Sequence, residues 1–155
     1  MDSHTITVVR IDAWDVANIL DRLAPLVSDS RANGFNMLRR LADGLETGEN
    51  RFREPSEALF GVLGSDGVLV AVGGLNRNAF PEDPQAGRLR RVYVHSECRR
   101  IGLGRAIVSE IIVRAREVAY LSIVLRAPDS AFAFYASMGF ERVVDSQSAT
   151  HRLNL

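Results

Sequence analysis

Lysine is missing from this chain of 155 residues; all 19 of its basic side chains are arginine. That, with abundant alanine and glycine, reads as the coding bias of a GC-rich bacterial genome. Cysteine is almost missing: Cys98 stands alone, so no internal disulfide can form and a reducing compartment fits best. Net charge is zero, because 19 acids balance the arginines, and nothing pulls the whole molecule toward nucleic acid or a membrane surface. No apolar run reaches membrane-spanning length, and the opening "MDSHTITVVRIDAWD" lacks the basic-then-apolar order of a secretory signal. His4, His95 and His151 are far apart, with no cysteine or carboxylate at ligand spacing, so a metal site is not expected. Repeats, low-complexity tracts and linkers are also lacking. The expectation is a single cytoplasmic domain over residues 1–155. With 46% hydrophobic residues it can close one core without staples.

What is present is a change of period along the chain. Thr5 to Ile11 is β-branched and reads as a strand. Val16, Ile19, Leu20, Leu23 and Leu26 keep helical spacing behind Asp12 or Asp15 as a cap, with Pro25 expected to kink or end the helix. Phe35 to Leu45 reads as a shorter helix. "EALFGVLG" and "VLVAVGGLN", joined by Ser65-Asp66-Gly67, form a β-hairpin, and "RLRRVYVH" is the next strand. Leu103 to Val118 is a strong helix and "LSIVLRA" a buried strand. Asp129 to Met138 is a short helix closed by Gly139, a position suited to a left-handed cap. "FERVVD" and "ATHRLNL" finish as strands. The order β-α-α-β-β-β-α-β-α-β-β describes an α/β (α+β) fold, a mixed sheet with helices on its faces.

Chemistry concentrates in Arg99-Arg100-Ile101-Gly102-Leu103-Gly104-Arg105. From Arg88 to Arg105 there are six arginines and one acid, Glu97. A helix N-terminus offers unpaired N–H groups and partial positive charge. Glycines there let a phosphate approach, and arginines add charged hydrogen bonds. A P-loop would need a lysine that this chain does not have. A dinucleotide fingerprint would need a third small residue where Ile107 stands. The remaining pattern, Arg/Gln-x-x-Gly-x-Gly between a strand and a long helix, is met by Arg99, Gly102 and Gly104.

With that pattern, the chain resembles the GNAT superfamily of acyl-CoA-dependent N-acetyltransferases. "RLRRVYVHSECRRIGLGRAIV" is similar to its strand and pyrophosphate loop, and "SAFAFYASMGFERV" to its late helix, Ala-x-x-Phe-Tyr-x-x-x-Gly-Phe. The resemblance is strongest from Gly87 to Val143 and follows the order of elements throughout. It implies acetyl-CoA as acyl donor and an amine as acceptor. The main chain of Val92, Tyr93 and Val94 would hold pantetheine on a splayed strand. The backbone from Arg99 through Ile101 and Leu103 to Arg105 would surround the pyrophosphate, with Gly102 and Gly104 giving the close approach. The Val94 N–H would polarise the thioester carbonyl. Tyr135 would be the acid for the departing thiolate, although it could equally be packing between Phe132 and Met138. Phe134, Phe140 and Trp14 read as core.

This sequence departs from the superfamily at two places. Several members carry a glutamate base six residues before the position of Val94, where this chain has Arg88. An arginine cannot accept a proton at neutral pH. Glu82 or Asp83, a water chain, or an acceptor arriving neutral would have to serve. Arg88 itself is either a clamp for an acceptor carboxylate or phosphate, or a solvated strand charge. Many members also have asparagine seven residues before the tyrosine, where this chain has Pro128. Acceptor choice should fall to the first two helices, the turn of residues 31–35 and the loop of residues 77–87. The expected activity is direct transfer from acetyl-CoA to a primary amine of a small molecule or protein, with homodimerisation left open. The alternative is an acyl-CoA-binding regulatory module with little catalysis. An RNA- or nucleotide-binding domain, the weakest reading, lacks interleaved stacking aromatics beyond Tyr93.

Overall fold

A computed structural model of the chain describes residues 6–155. Seven strands form one sheet. β1 (Val9–Arg10), β2 (Ala58–Leu63), β3 (Leu69–Arg77) and β4 (Ala86–Val94) follow one another in antiparallel order. β4 then pairs in parallel with β5 (Ser122–Leu125), and β7 (His151–Asn154) lies between β5 and β6 (Glu141–Arg142). The helices are α1 (Val16–Ala32), α2 (Met37–Thr47), α3 (Leu103–Glu117) and α4 (Phe132–Ser137). The mixed sheet and element order are those expected. Thr5, where the first strand was expected to begin, lies outside the described residues, and the last two strands are shorter than their sequence runs.

Each sheet face carries its own core. Ile19, Leu23, Leu26, Leu38, Leu41 and Leu45 of α1 and α2 pack with Leu59, Val72 and Tyr93 on one face. Ile107, Val108, Ile111 and Ala115 of α3 pack with Phe60, Ala71, Leu125 and Tyr135 on the other. A side chain on Gly73 would overlap Ile107, so glycine there sets how closely α3 lies on β3. Pro25 does not end α1. The helix runs on to Ala32, because Leu26 and Ser30 beyond the proline are buried and hold that turn in place. Neither candidate aspartate caps α1 with its side chain. Asp15 occupies the cap position without such a bond, while buried Asp12 accepts from the Leu59 amide at 2.9 Å and from Arg10.

Two irregularities in β4 shape the site. β4 pairs with β5 only at Ala86, Gly87 and Arg88, so Leu89 to Val94 have no neighbour on that side. Against β3, the register slips between Val72 and Gly74, and Arg91 takes a left-handed φ of 61°. This is a β-bulge, which adds a residue to one strand and bends it. The bend turns the end of β4 away from β5 and opens the sheet.

Candidate active site

The opening between β4 and β5 widens into a cleft of about 1240 Å³. β4 forms one wall, the start of α3 the second, and α4 with the residues after β5 the third. Val92, Tyr93 and Val94 line it together with Arg99, Arg100, Gly102, Leu103, Gly104, Arg105 and Tyr135. Residues from separate parts of the sequence thus meet around one space. Ile101 is exposed and does not line the cleft.

The main chain of Val94 faces the opening, as the strand register requires. His95 N–H donates to the Val70 carbonyl at 2.8 Å, which makes residues 70 and 95 a hydrogen-bonded pair. Such pairs alternate along an antiparallel ladder, so the next pair, Ala71 with Val94, exchanges no bonds. The N–H and C=O of Val94 therefore point away from β3, toward the side where β5 is missing.

The glycine turn is built as an anion cradle. Arg100 and Gly102 both have left-handed φ, 70° and 89°. No amide from Arg99 to Arg105 reaches a main-chain acceptor in hydrogen-bonding geometry among the described residues. Successive N–H groups in alternating hand form an anion-binding nest, here continuous with the N-terminus of α3. Gly104 is different. It lies inside α3, and an added Cβ would sit 3.5 Å from Phe134 and 3.6 Å from Val94, ordinary contact distances. Glycine in a helix costs about 0.5–1 kcal/mol relative to alanine. Neither packing nor backbone hand requires glycine at 104.

The arginines of the turn do not behave alike. Arg99 stacks 5.5 Å over the Tyr93 ring and donates to the Val94 carbonyl at 3.3 Å. Arg105 donates to Ser137 Oγ at 3.0 Å, tying α3 to α4. Arg100 makes no side-chain hydrogen bond or ion pair among the described residues and remains available to a phosphate.

Tyr135 is buried at 6% exposure, edge-on to Phe134, with Phe140 and His151 against its ring. Burial pushes its phenol pKa well up. Its hydroxyl has no hydrogen-bond partner among the described residues, although the residue lines the cleft. Packing and an available proton coexist in the one side chain. His151 is the neighbour that its place in the sequence did not reveal. Burial, and then Arg142, lower its pKa, so it stays neutral around pH 7. Tyr93 is not a second acid, because its hydroxyl donates to Asp29 Oδ2 at 2.7 Å. Burial and that bond push its pKa up to about 12.

Asp29, on α1, joins this network from the far face. It accepts from Tyr93, from the Ser96 amide at 2.9 Å and from Ser96 Oγ at 2.6 Å. Burial alone would raise its pKa, but the Ser96 and Tyr93 bonds hold it below the ordinary value. Asp29→Ala should therefore destabilise the fold by about 1–3 kcal/mol at pH 7, read as a lower melting temperature. The depressed pKa makes this stabilisation complete above about pH 3.9 and lost as pH falls further. Wild type and variant should then converge in acid. A gap that stays constant down to pH 2 would contradict the assignment.

Arg88 is the larger departure from expectation. It is no solvated strand charge, being only 5% exposed. Nε donates to Asn78 Oδ1 at 2.9 Å, and the guanidinium sits 4.8 Å over the Phe80 ring. Burial lowers its pKa, as does Arg90, while Glu82 opposes them. Arginine remains protonated under such pressure. Its Nη2 is buried without an acceptor. Leaving a buried charged donor unpaired costs on the order of 1–3 kcal/mol or more. Glu82 and Asp83 lie nearby, but each is already held: Glu82 by Ser146 and Ser148, Asp83 by Arg152. Cys98 and Pro128 line the cleft. No group of three or more potential metal ligands occurs among the described residues. Among them, too, no helix is long and apolar enough to cross a membrane.

The sequence of residues 29–153 matches the profile of the acetyltransferase (GNAT) domain. The chain belongs to the GNAT acetyltransferase family. Among curated proteins none matches it by sequence. Solved structures do. A protein of Exiguobacterium sp. 255-15, provisionally classed as an acetyltransferase, is 28% identical with a TM-score of 0.80, over 97% of this chain and 94% of that one. A GNAT-family acetyltransferase of Staphylococcus aureus Mu50 is 16% identical with a TM-score of 0.75, over 97% and 99%. The PaiA N-acetyltransferase of Thermoplasma acidophilum, in complex with coenzyme A, is 15% identical with a TM-score of 0.66, over 98% and 100%. This GNAT enzyme is thus an acyltransferase with the family's fold around the cleft described above.

Proposed function

We propose that the enzyme moves acetyl from acetyl-CoA directly to a primary amine. The observation that carries this reading is the opening of the sheet beyond Arg88, bounded at one end by the anion nest and lined by the unpaired hydroxyl-bearing Tyr135. Pantetheine is an extended chain with two amides, and it fits an exposed strand as an added strand would. Val92 and Val94 would pair with it, and the backbone of Arg99–Arg105 would hold the pyrophosphate.

The Val94 N–H then polarises the thioester carbonyl where negative charge develops. The amine nitrogen attacks that carbon, a C–N bond forms, and the C–S bond breaks. Tyr135 gives its proton to the departing thiolate, and the new ammonium loses one proton to solvent or base. Glu82 is the one acid on the cleft wall among the described residues, and the hydroxyls of Ser146 and Ser148 hold it in place. Cys98 is the one thiol on the cleft wall, and its sulfur has no hydrogen-bonded base to activate it among the described residues, which favours direct transfer. Isolation of an acetylated enzyme that passes its acetyl group to an amine would contradict this.

The first test is acetyl-CoA titration followed by melting temperature. At about a hundred times its dissociation constant, a ligand adds roughly 2.7 kcal/mol to the native state, several degrees for a domain of this size. No rise would remove acetyl-CoA from the cleft.

A further inference from the structure

Resting on that acetyltransferase reading, we propose that the acceptor is an amine carrying a carboxylate, and that Arg88 is the seat of that carboxylate. Arg88 lies where β4 leaves β5, at the apex of the opening. It belongs to the wall shared by two spaces, the large cleft and a smaller cavity of about 210 Å³. Its guanidinium has one edge fixed by Asn78 and one face covered by Phe80, while Nη2 is left without an acceptor. A fork held this way presents directed donors, which suits a planar carboxylate.

The surroundings point the same way. Arg40, Arg90, Arg91 and Arg126 also line the large cleft, and Glu82 is the one acid on its wall among the described residues. Glu82 and Asp83 share the smaller cavity with Arg88; serine hydroxyls bond Glu82, and Arg152 offsets the charge of Asp83, whose Oδ2 has no hydrogen-bond partner and does not reach Arg88 Nη2. A polycationic amine would meet repulsion here, whereas an anionic one meets a buried cation with an unfilled donor. Arg88 is a substrate-binding residue on this reading. It takes the place of the base that this position lacks, and it sets which amine is accepted.

The test compares acceptors that differ only in charge: glycine, 4-aminobutyrate and L-glutamate, each beside a carboxamide counterpart. CoA release is measured and rates are referred to the free-amine fraction. Phosphoethanolamine beside ethanolamine asks whether phosphate serves instead. For at least one chain length, the carboxylate should exceed its carboxamide in kcat/KM by tenfold or more. Arg88→Gln should bring that ratio close to one, chiefly by raising KM. Arg88→Lys, which keeps the charge but not the fork, should fall between.

Melting temperature of the CoA-loaded protein gives a second readout that needs no turnover. Carboxylates should raise it in wild type and not in Arg88→Gln. Carboxamides used or bound as well as carboxylates, a preference for the phosphate, or no carboxylate response in either assay would overturn the seat. The wild-type comparison stands even if the variants fold poorly. If acetyl-CoA itself fails to raise the melting temperature, the acetyltransferase reading falls; an intact acetyl-CoA response with indifferent acceptors sinks only the carboxylate seat.

Discussion

Tyr135→Phe is expected to lower turnover by about a hundredfold or more while changing acetyl-CoA affinity and melting temperature little. The first part follows from the chemistry of a positioned acid, which contributes typically 10²–10⁴-fold. The second follows from the structure. The ring contacts with Phe134, Phe140 and His151 survive the change, and the lost hydroxyl has no hydrogen-bond partner to strand. A large fall in melting temperature would mean that the hydroxyl is structural. Unchanged turnover would remove it from the mechanism.

The raised pKa of Tyr135 adds a pH signature. Its folded-state value lies above the ordinary phenol value near 10, so the proton stays on through the working range. Activity should rise with pH as the acceptor amine loses its proton, then level off, with no descending limb before about pH 10. A descending limb near pH 8 or 9 that disappears in Tyr135→Phe would show a phenol far more acidic than its burial permits.

The sequence made the parts of this site that depend on local backbone legible. Arg99-x-x-Gly102-x-Gly104 announces a nest because glycine and helix start are local properties, and the Phe134-Tyr135 helix announces itself by its pattern. The side-chain environment was not legible in the same way. Arg88 looks like any charge on a strand until β5, Asn78 and Phe80 close around it. A hint was available: a strand in the middle of a mixed sheet is covered on both faces, so "RLRR" must bury some of its arginine. Nothing comparable flagged Asp29, which reaches Tyr93 and Ser96 across more than sixty residues. His151 reaches Tyr135 only through β7 pairing beside β5. Pro25 does not end α1 for a related reason, since a local helix-breaker was outweighed by burial beyond it.

Gly102→Glu should abolish acetyl-CoA binding, and Gly102→Ala shows how much of that loss is charge. At φ 89° any side chain is strained. A left-handed non-glycine residue costs roughly 1–2 kcal/mol, which both variants incur, so both should melt a few degrees lower than wild type. They differ in the ligand response. Alanine keeps the row of N–H groups and should weaken acetyl-CoA only in part. Glutamate adds a carboxylate at the mouth of the nest, where it repels the pyrophosphate and can occupy the N–H groups itself, and the melting temperature should no longer respond to acetyl-CoA. Gly104→Ala completes the comparison from the other side. The free enzyme has room for the methyl group and a helix that favours it, so the unliganded protein should melt no lower, while acetyl-CoA affinity falls because the cofactor requires that approach. A Gly104→Ala enzyme that binds acetyl-CoA as tightly as wild type would place the pyrophosphate elsewhere along the turn. A Gly102→Glu enzyme that still responds to the cofactor would remove it from the nest altogether.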